Sequence, residues 1–201
     1  MRWDDLREVT LPPAVPGRLF LMAMPGRQRP LEGDIDKALA VGVTRLVCLV
    51  PLDEVAAKSP RYAQALANDE LPWPVDLFPI ENEHRPRELE PFARFVLELT
   101  EALRGGERLL LHCAAGVGRT GTVAACVLVA LGLGLEEALD TVRRAGSFPE
   151  TAEQREVIAW FAERQRQAAA GPSPSPAAES YGPGRQAPEV QGIDLGWPDG
   201  Y

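Results

Sequence analysis

A nucleophile, a cation, a hydroxyl and three glycines are gathered in one short stretch, His112-Cys113-Ala114-Ala115-Gly116-Val117-Gly118-Arg119-Thr120-Gly121. It follows an apolar run that reads as a buried strand and opens an apolar run that reads as a helix. Unpaired N–H groups at a helix start carry partial positive charge and together bind anions. Glycines let such a turn curl until successive amides aim at one point. The backbone of Ala114, Ala115, Gly116, Val117 and Gly118 is therefore the candidate phosphate cradle, with the planar fork of Arg119 adding two matched donors. Those dipoles and that guanidinium favour the thiolate of Cys113 over its thiol. A thiolate on the floor of a phosphate cradle is placed for in-line attack, giving a phosphocysteine. Thr120 supplies a hydroxyl to stabilise the sulfur when water cleaves that intermediate. His112 is expected to orient the loop by hydrogen bonding rather than to act as a base.

The bland alternative is a structural turn with a buried cysteine. Cys48 in RLVCLV and Cys126 in TVAACVLVALGL fit that description, as small apolar side chains inside apolar runs. Cys113 does not, because fixing three glycines, a histidine, an arginine and a threonine around it leaves little room for coincidence. Three cysteines and two histidines (His84 and His112), all scattered, give neither a disulfide framework nor a zinc site. No metal or other cofactor is expected.

The elements that must position this loop can be read around it. Apolar runs at Arg18–Met22, Arg45–Val50, Val75–Ile80 and Arg108–Cys113 suggest strands. The second and fourth are nearly continuously apolar, as in parallel strands covered on both faces. Helical spacing marks Gly33–Val41, Glu88–Leu103, Thr120–Leu131, Leu135–Ala145 and Thr151–Gln165. Strands alternating with helices predict an α/β fold with a mostly parallel central sheet flanked by helices. Residues 1–167 read as one domain. Residues 168–201, rich in Pro, Ser, Ala and Gly, read as a disordered tail in which Trp197 and Tyr201 are the features suited to docking.

The chain has 201 residues and a formal net charge of −8, which argues against non-specific binding to nucleic acid or anionic lipid. Its first residues carry acids where a signal peptide needs a basic flank, and no apolar run is long enough to span a bilayer. Partners among nucleic acids or membranes are thus not expected, and a cytoplasmic location is.

HCAAGVGRTG resembles the His-Cys-x5-Arg-Ser/Thr-Gly signature loop of the protein tyrosine and dual-specificity phosphatase superfamily. PGRLFLMAMPGR, PLDEV and AGSFPETAEQREVIAWF are similar to the opening strand, the segment after the second strand, and the closing loop and helix of its compact, kinase-associated-phosphatase-like bacterial members. The likeness runs from about Gly17 to Phe161. It implies a five-stranded sheet, metal-independent hydrolysis of phosphomonoesters, and the roles given above to Cys113, Arg119 and Thr120. It also implies an aspartate general acid about thirty residues before the cysteine, following Pro-Ile-x. Here Pro79-Ile80-Glu81 is followed by Asn82, which has no ionisable proton. Glu83, thirty positions before Cys113, is the candidate replacement, with Glu81 and His84 beside it. A solvated charged loop explains the same letters.

Arg85 and Arg87 sit beside this loop and could flank a substrate, although surface solvation is the preferred reading. Gln154 resembles a glutamine that positions hydrolytic water in some relatives; a capping box begun by Thr151 accounts for it too. A protective disulfide between Cys48 and Cys113 is conceivable only if the strands place them together. The loop interior lacks the lysines of phosphoinositide-directed relatives, which favours phosphoprotein substrates: phosphotyrosine, with phosphoserine or phosphothreonine besides. Small phosphomonoesters are the other substrate class. Two rival readings exist, a phospho-binding module that hydrolyses poorly because position 82 is Asn, and a sulfurtransferase, whose chemistry has less use for Arg-Thr-Gly.

Overall fold

The computed structural model of the chain describes residues 5–170. Five strands form one sheet in the order β1-β2-β5-β3-β4, where β1 is Arg7–Val9, β2 Arg18–Met22, β3 Arg45–Cys48, β4 Val75–Leu77 and β5 Arg108–His112. Strand β1 is antiparallel to β2 and the other pairings are parallel. This is the expected α/β architecture, with a mostly parallel sheet between helices. Leu19, Leu21, Val47, Leu109 and Leu111 are wholly buried, as the unbroken apolar runs of β2, β3 and β5 require.

Seven helices complete the described residues: α1 (Leu31–Ala40), α2 (Leu52–Lys58), α3 (Pro60–Ala67), α4 (Leu89–Arg104), α5 (Gly118–Ala130), α6 (Leu135–Arg144) and α7 (Ala152–Ala170). On one face of the sheet Met22, Leu46 and Leu110 meet Leu31 and Ala38 of α1 and Tyr62 of α3. On the other, α4 and α5 pack on β5, and α5 in turn lies against α4, α6 and α7. Surrounded in this way, α5 buries every residue from Gly118 to Val129, which is why its sequence has no polar face.

The sheet register decides where chemistry can occur. His112 at the end of β5 pairs with Met22 of β2 and with Cys48 of β3, so three strands end together. The β5–α5 loop leaves from that shared carboxyl edge, where open parallel sheets bind their ligands.

Boundaries moved by a few residues. Strands β3, β4 and β5 stop at Cys48, Leu77 and His112, short of the apolar runs that announce them, because the chain leaves the sheet to build loops whose apolar residues Leu49, Val50, Ile80 and Cys113 are still buried. Helix α7 runs through Ala170, into the stretch expected to be tail; the remainder of that expectation, with Trp197 and Tyr201, lies outside the described residues. Strand β1 gave no apolar signal, since its three residues are Arg, Glu and Val. We predict that Leu111→Ala, which hollows out the centre of β5, costs about 2–5 kcal/mol. Chemical denaturation measures this, and a loss well under that range would mean the strand is less tightly packed than described.

Candidate active site

The loop from Cys113 to Val117 is held from outside by its carbonyls. Arg27 Nη1 donates to the Ala114 carbonyl at 2.7 Å, and the Met24 amide donates to the same oxygen at 3.2 Å. The Gly116 carbonyl receives bonds from Arg7 and Ser147. On the inner side the Gly116 amide donates to the Cys113 sulfur at 3.2 Å. Gly116 has φ +72°, and a Cβ there would collide with the Met22 carbonyl, so only glycine fits this position. Of the residues expected in the cradle, Ala115 is exposed while Cys113, Ala114, Val117 and Gly118 are buried.

Arg119 is 3% exposed and heavily bonded. Glu54 of α2 grips it with both carboxylate oxygens, at 2.8 and 3.0 Å. Arg119 also donates to the Ile80 carbonyl at 2.9 Å and to Asn82 Oδ1 at 3.2 Å. Burial alone would lower the guanidinium below its ordinary value; its bonds to Glu54 and the nearby Cys113 sulfur outweigh this and raise it. Conversely, the hydrogen bonds from Arg119 hold the Glu54 carboxyl at about 2, with Lys58 assisting against the opposing effect of burial. Glu54 was not singled out from the sequence. Its only signal was the segment PLDEV, which carries no spacing rule relative to an arginine 65 positions away.

His112 is fully buried and is pushed down to about 4, by burial first and by the charge of Arg119 in addition, against the bond to the Cys113 carbonyl. Its ring is therefore neutral. Nδ1 lies 3.3 Å from the Cys113 carbonyl, which can only accept, so Nδ1 carries the hydrogen. Nε2 then accepts from the Tyr62 hydroxyl at 2.8 Å. This arrangement suits the orienting role expected of His112. Thr120 is wholly buried and its Oγ1 has no hydrogen-bond partner among the described residues. Such a hydroxyl rewards an atom that arrives to meet it.

The loop before Pro86 brings Asn82, not a carboxylate, onto Arg119. Glu83 follows with φ +65°, is exposed, and accepts a long bond of 3.4 Å from the Asn82 amide. Glu81 pairs with Arg87 at 3.1 Å, and His84 lies 3.5 Å from Glu153. Arg85 and Arg87 line a shallow cleft with these residues beside the loop. A second carboxylate was missed in the sequence. Glu150, in the loop before α7, lies so close to Gly118 that a Cβ there would strike its Oε2. Gln154 is buried against the same backbone, and its Oε1 accepts from the Glu150 amide at 2.8 Å. Its backbone N–H donates to Thr151 Oγ1 at 3.2 Å, so the capping contact is real and leaves the side chain at the loop. Cys48 is buried and pushed up to about 11, chiefly by burial, as an inert structural thiol would be.

A family model described as "PTP-SAK: Swiss Army Knife protein, DSP-PTPase phosphatase domain" matches residues 13–178. Among solved structures, the phosphatase Tk-PTP in its active form is 30% identical, with a TM-score of 0.59, over 76% of this chain and 98% of that one. Kinase-associated phosphatase, solved with its catalytic cysteine replaced by serine, shares the fold at 22% identity and a TM-score of 0.70, over 81% of this chain and 96% of that one. Human DUSP28 shares it at 20% identity and a TM-score of 0.56, over 80% and 96% of the two chains. Among the described residues no helix is long and apolar enough to cross a membrane.

The pairing of Glu54 with Arg119 predicts a pH signature. Because the folded carboxyl sits below its ordinary 4.5, its contribution is complete above that pH and is lost as pH falls towards about 2. Discounted for the solvent that reaches the pair, its size is on the order of 1–2 kcal/mol. Glu54→Gln should therefore remove this portion of the acid-side loss, which is read from unfolding free energies at several pH values. Parallel curves for the two proteins would show that the pair is not formed in solution.

Proposed function

We propose that this chain, which belongs to the Swiss Army Knife DSP-PTPase family of cysteine-based phosphatase domains, hydrolyses phosphomonoesters through a phosphocysteine on Cys113. The observation that carries this reading is the β5–α5 loop, where an amide already bonds the Cys113 sulfur and Arg119 is fixed beside it. In the first step the sulfur bonds to phosphorus as the bond from phosphorus to the ester oxygen breaks. Amides of residues 114–118 and Arg119 meet the equatorial oxygens, where charge is spread in the transition state. In the second step water bonds to phosphorus and gives a proton to the carboxylate left by the first step, the P–S bond breaks, and the Thr120 hydroxyl donates to the returning thiolate.

The leaving oxygen takes its proton from a carboxylic acid. Glu54 is unsuited, since Arg119 keeps it ionised. Glu83, next to Asn82 at the mouth of the loop, is the residue we assign, and Glu150 against Gly118 is the other carboxylate within the same region. Substrates are phosphotyrosine residues of proteins, with phosphoserine and phosphothreonine accepted; a loop without lysine and an acidic chain disfavour polyanionic ligands. Kinship with the bacterial kinase-associated-phosphatase-like branch, and a cytoplasmic setting, belong to this proposal as well.

A second reading is favoured by one contact: Asn82 Oδ1 occupies a donor of Arg119 where an acid would be useful. On that reading the chain binds phosphorylated partners and hydrolyses them poorly.

Hydrolysis of a phosphotyrosine peptide in the presence of EDTA separates the two. The phosphatase reading expects turnover by the native chain, background rates for Cys113→Ser, and a drop of about 10²-fold or more when the acting acid is removed in Glu83→Gln or Glu150→Gln. Peptide binding without turnover, with activity gained in Asn82→Asp, would instead support the binding module.

A further inference from the structure

Arg7 is a buried cation that lacks a carboxylate partner among the described residues. Only 6% of it is exposed, yet every polar group it meets is neutral. Nη2 donates to the Gly116 carbonyl at 2.7 Å, and Nη1 donates to the Ala145 and Gly146 carbonyls and to Ser147 Oγ. Ser147 is itself fully buried and donates its hydroxyl to the same Gly116 carbonyl at 2.7 Å. Arg7 Nε is buried without a hydrogen-bond partner among the described residues, so even its neutral contacts are incomplete. A buried guanidinium without a counter-anion is costly, and carbonyl dipoles repay only part of that cost. Burial lowers Arg7 from its ordinary value, and the Cys113 sulfur works the other way. The bond from Arg7 to the Gly116 carbonyl sets its charge against the loop, where a thiolate or a bound anion would supply the missing counter-charge.

The clamp also has a geometric consequence. In a trans peptide the C=O and the following N–H point in opposite directions, and no cis bond occurs among the described residues. Fixing the Gly116 carbonyl towards Arg7 and Ser147 turns the Val117 N–H away from them. On the preceding peptide the Gly116 N–H already faces the Cys113 sulfur.

We propose that Arg7, together with Ser147, is a positioning residue of the phosphate cradle: it holds the Gly116 carbonyl outward so that the loop amides face the anion, and its unpaired charge adds to the potential there. The inference rests on the phosphatase reading. A plain structural staple between β1, the loop and the α6–α7 connection would have a different signature, because it would alter thermal stability while leaving the folded protein's anion affinity intact.

Orthovanadate affinity, steady-state kinetics on p-nitrophenyl phosphate and thermal unfolding of the native chain, Arg7→Met, Arg7→Lys and Ser147→Ala make the test. Arg7→Met should bind orthovanadate about 10- to 100-fold more weakly, as for loss of a charged hydrogen bond, with kcat lowered as well as KM raised. Arg7→Lys keeps the charge and one donor and should recover part of that loss. Ser147→Ala should weaken binding by about 3- to 10-fold. The inference is overturned if folded Arg7→Met binds as tightly as the native chain and differs only in unfolding temperature. Should Arg7→Met not fold, native-like affinity in both Arg7→Lys and Ser147→Ala overturns it equally. A native chain that neither binds orthovanadate nor turns over substrate defeats the phosphatase reading itself, and the inference with it.

Discussion

A peptide plane can offer only one of its two polar ends to a cavity, and that constraint governs the β5–α5 loop. For the loop to present amides, its carbonyls must be received elsewhere by donors that do not let go. Arg27 and the Met24 amide take the Ala114 carbonyl, and Arg7 and Ser147 take that of Gly116. These donors come from β1, from the turn after β2 and from the connection before α7. The antiparallel edge strand and the distant helix connection, which look peripheral in the topology, are tied to the loop at its most constrained glycine. Position 116 tolerates no side chain, since its backbone abuts the Met22 carbonyl, whereas a side chain at 118 would have to displace the Glu150 carboxylate.

Charge around the loop is arranged so that two guanidiniums serve different ends. Arg119 is anchored by a carboxylate that it keeps ionised, which fixes its plane while spending much of its charge on Glu54. Arg7 is anchored by neutral groups and spends little. An acidic chain can therefore hold a local positive potential without a broad basic surface. The neutral His112, locked between Tyr62 and the Cys113 carbonyl, adds orientation but no charge.

Much of this was legible in the sequence, for reasons that also mark its limits. The strands β2, β3 and β5 announce themselves because burial on both faces demands unbroken apolar runs, and the signature from His112 to Gly121 is contiguous. Their register, and hence the meeting of strand ends at His112, was not legible, because an apolar run marks a buried strand without saying which residue it faces. Glu54, Arg7, Ser147 and Glu150 were invisible because they reach the loop from far away in the chain, and each has an ordinary surface letter. Arg7 looks like one more solvated cation until the carbonyls that receive it are seen. The general acid is a different kind of case. Spacing pointed to Glu83, and the fold sets Glu83 beside Asn82 and Glu150 against Gly118, so the two stand as carboxylates to be separated by experiment.

The claim on which everything else depends is that the loop is an anion cradle with the sulfur at its floor. A crystal structure of the chain with orthovanadate tests it most directly. The account predicts vanadium bonded to Cys113 Sγ, its equatorial oxygens within hydrogen-bond distance of the amides of residues 114–118 and of Arg119, and the Gly116 carbonyl still turned towards Arg7. An oxyanion bound elsewhere, or a loop whose carbonyls face inward in its presence, would contradict it.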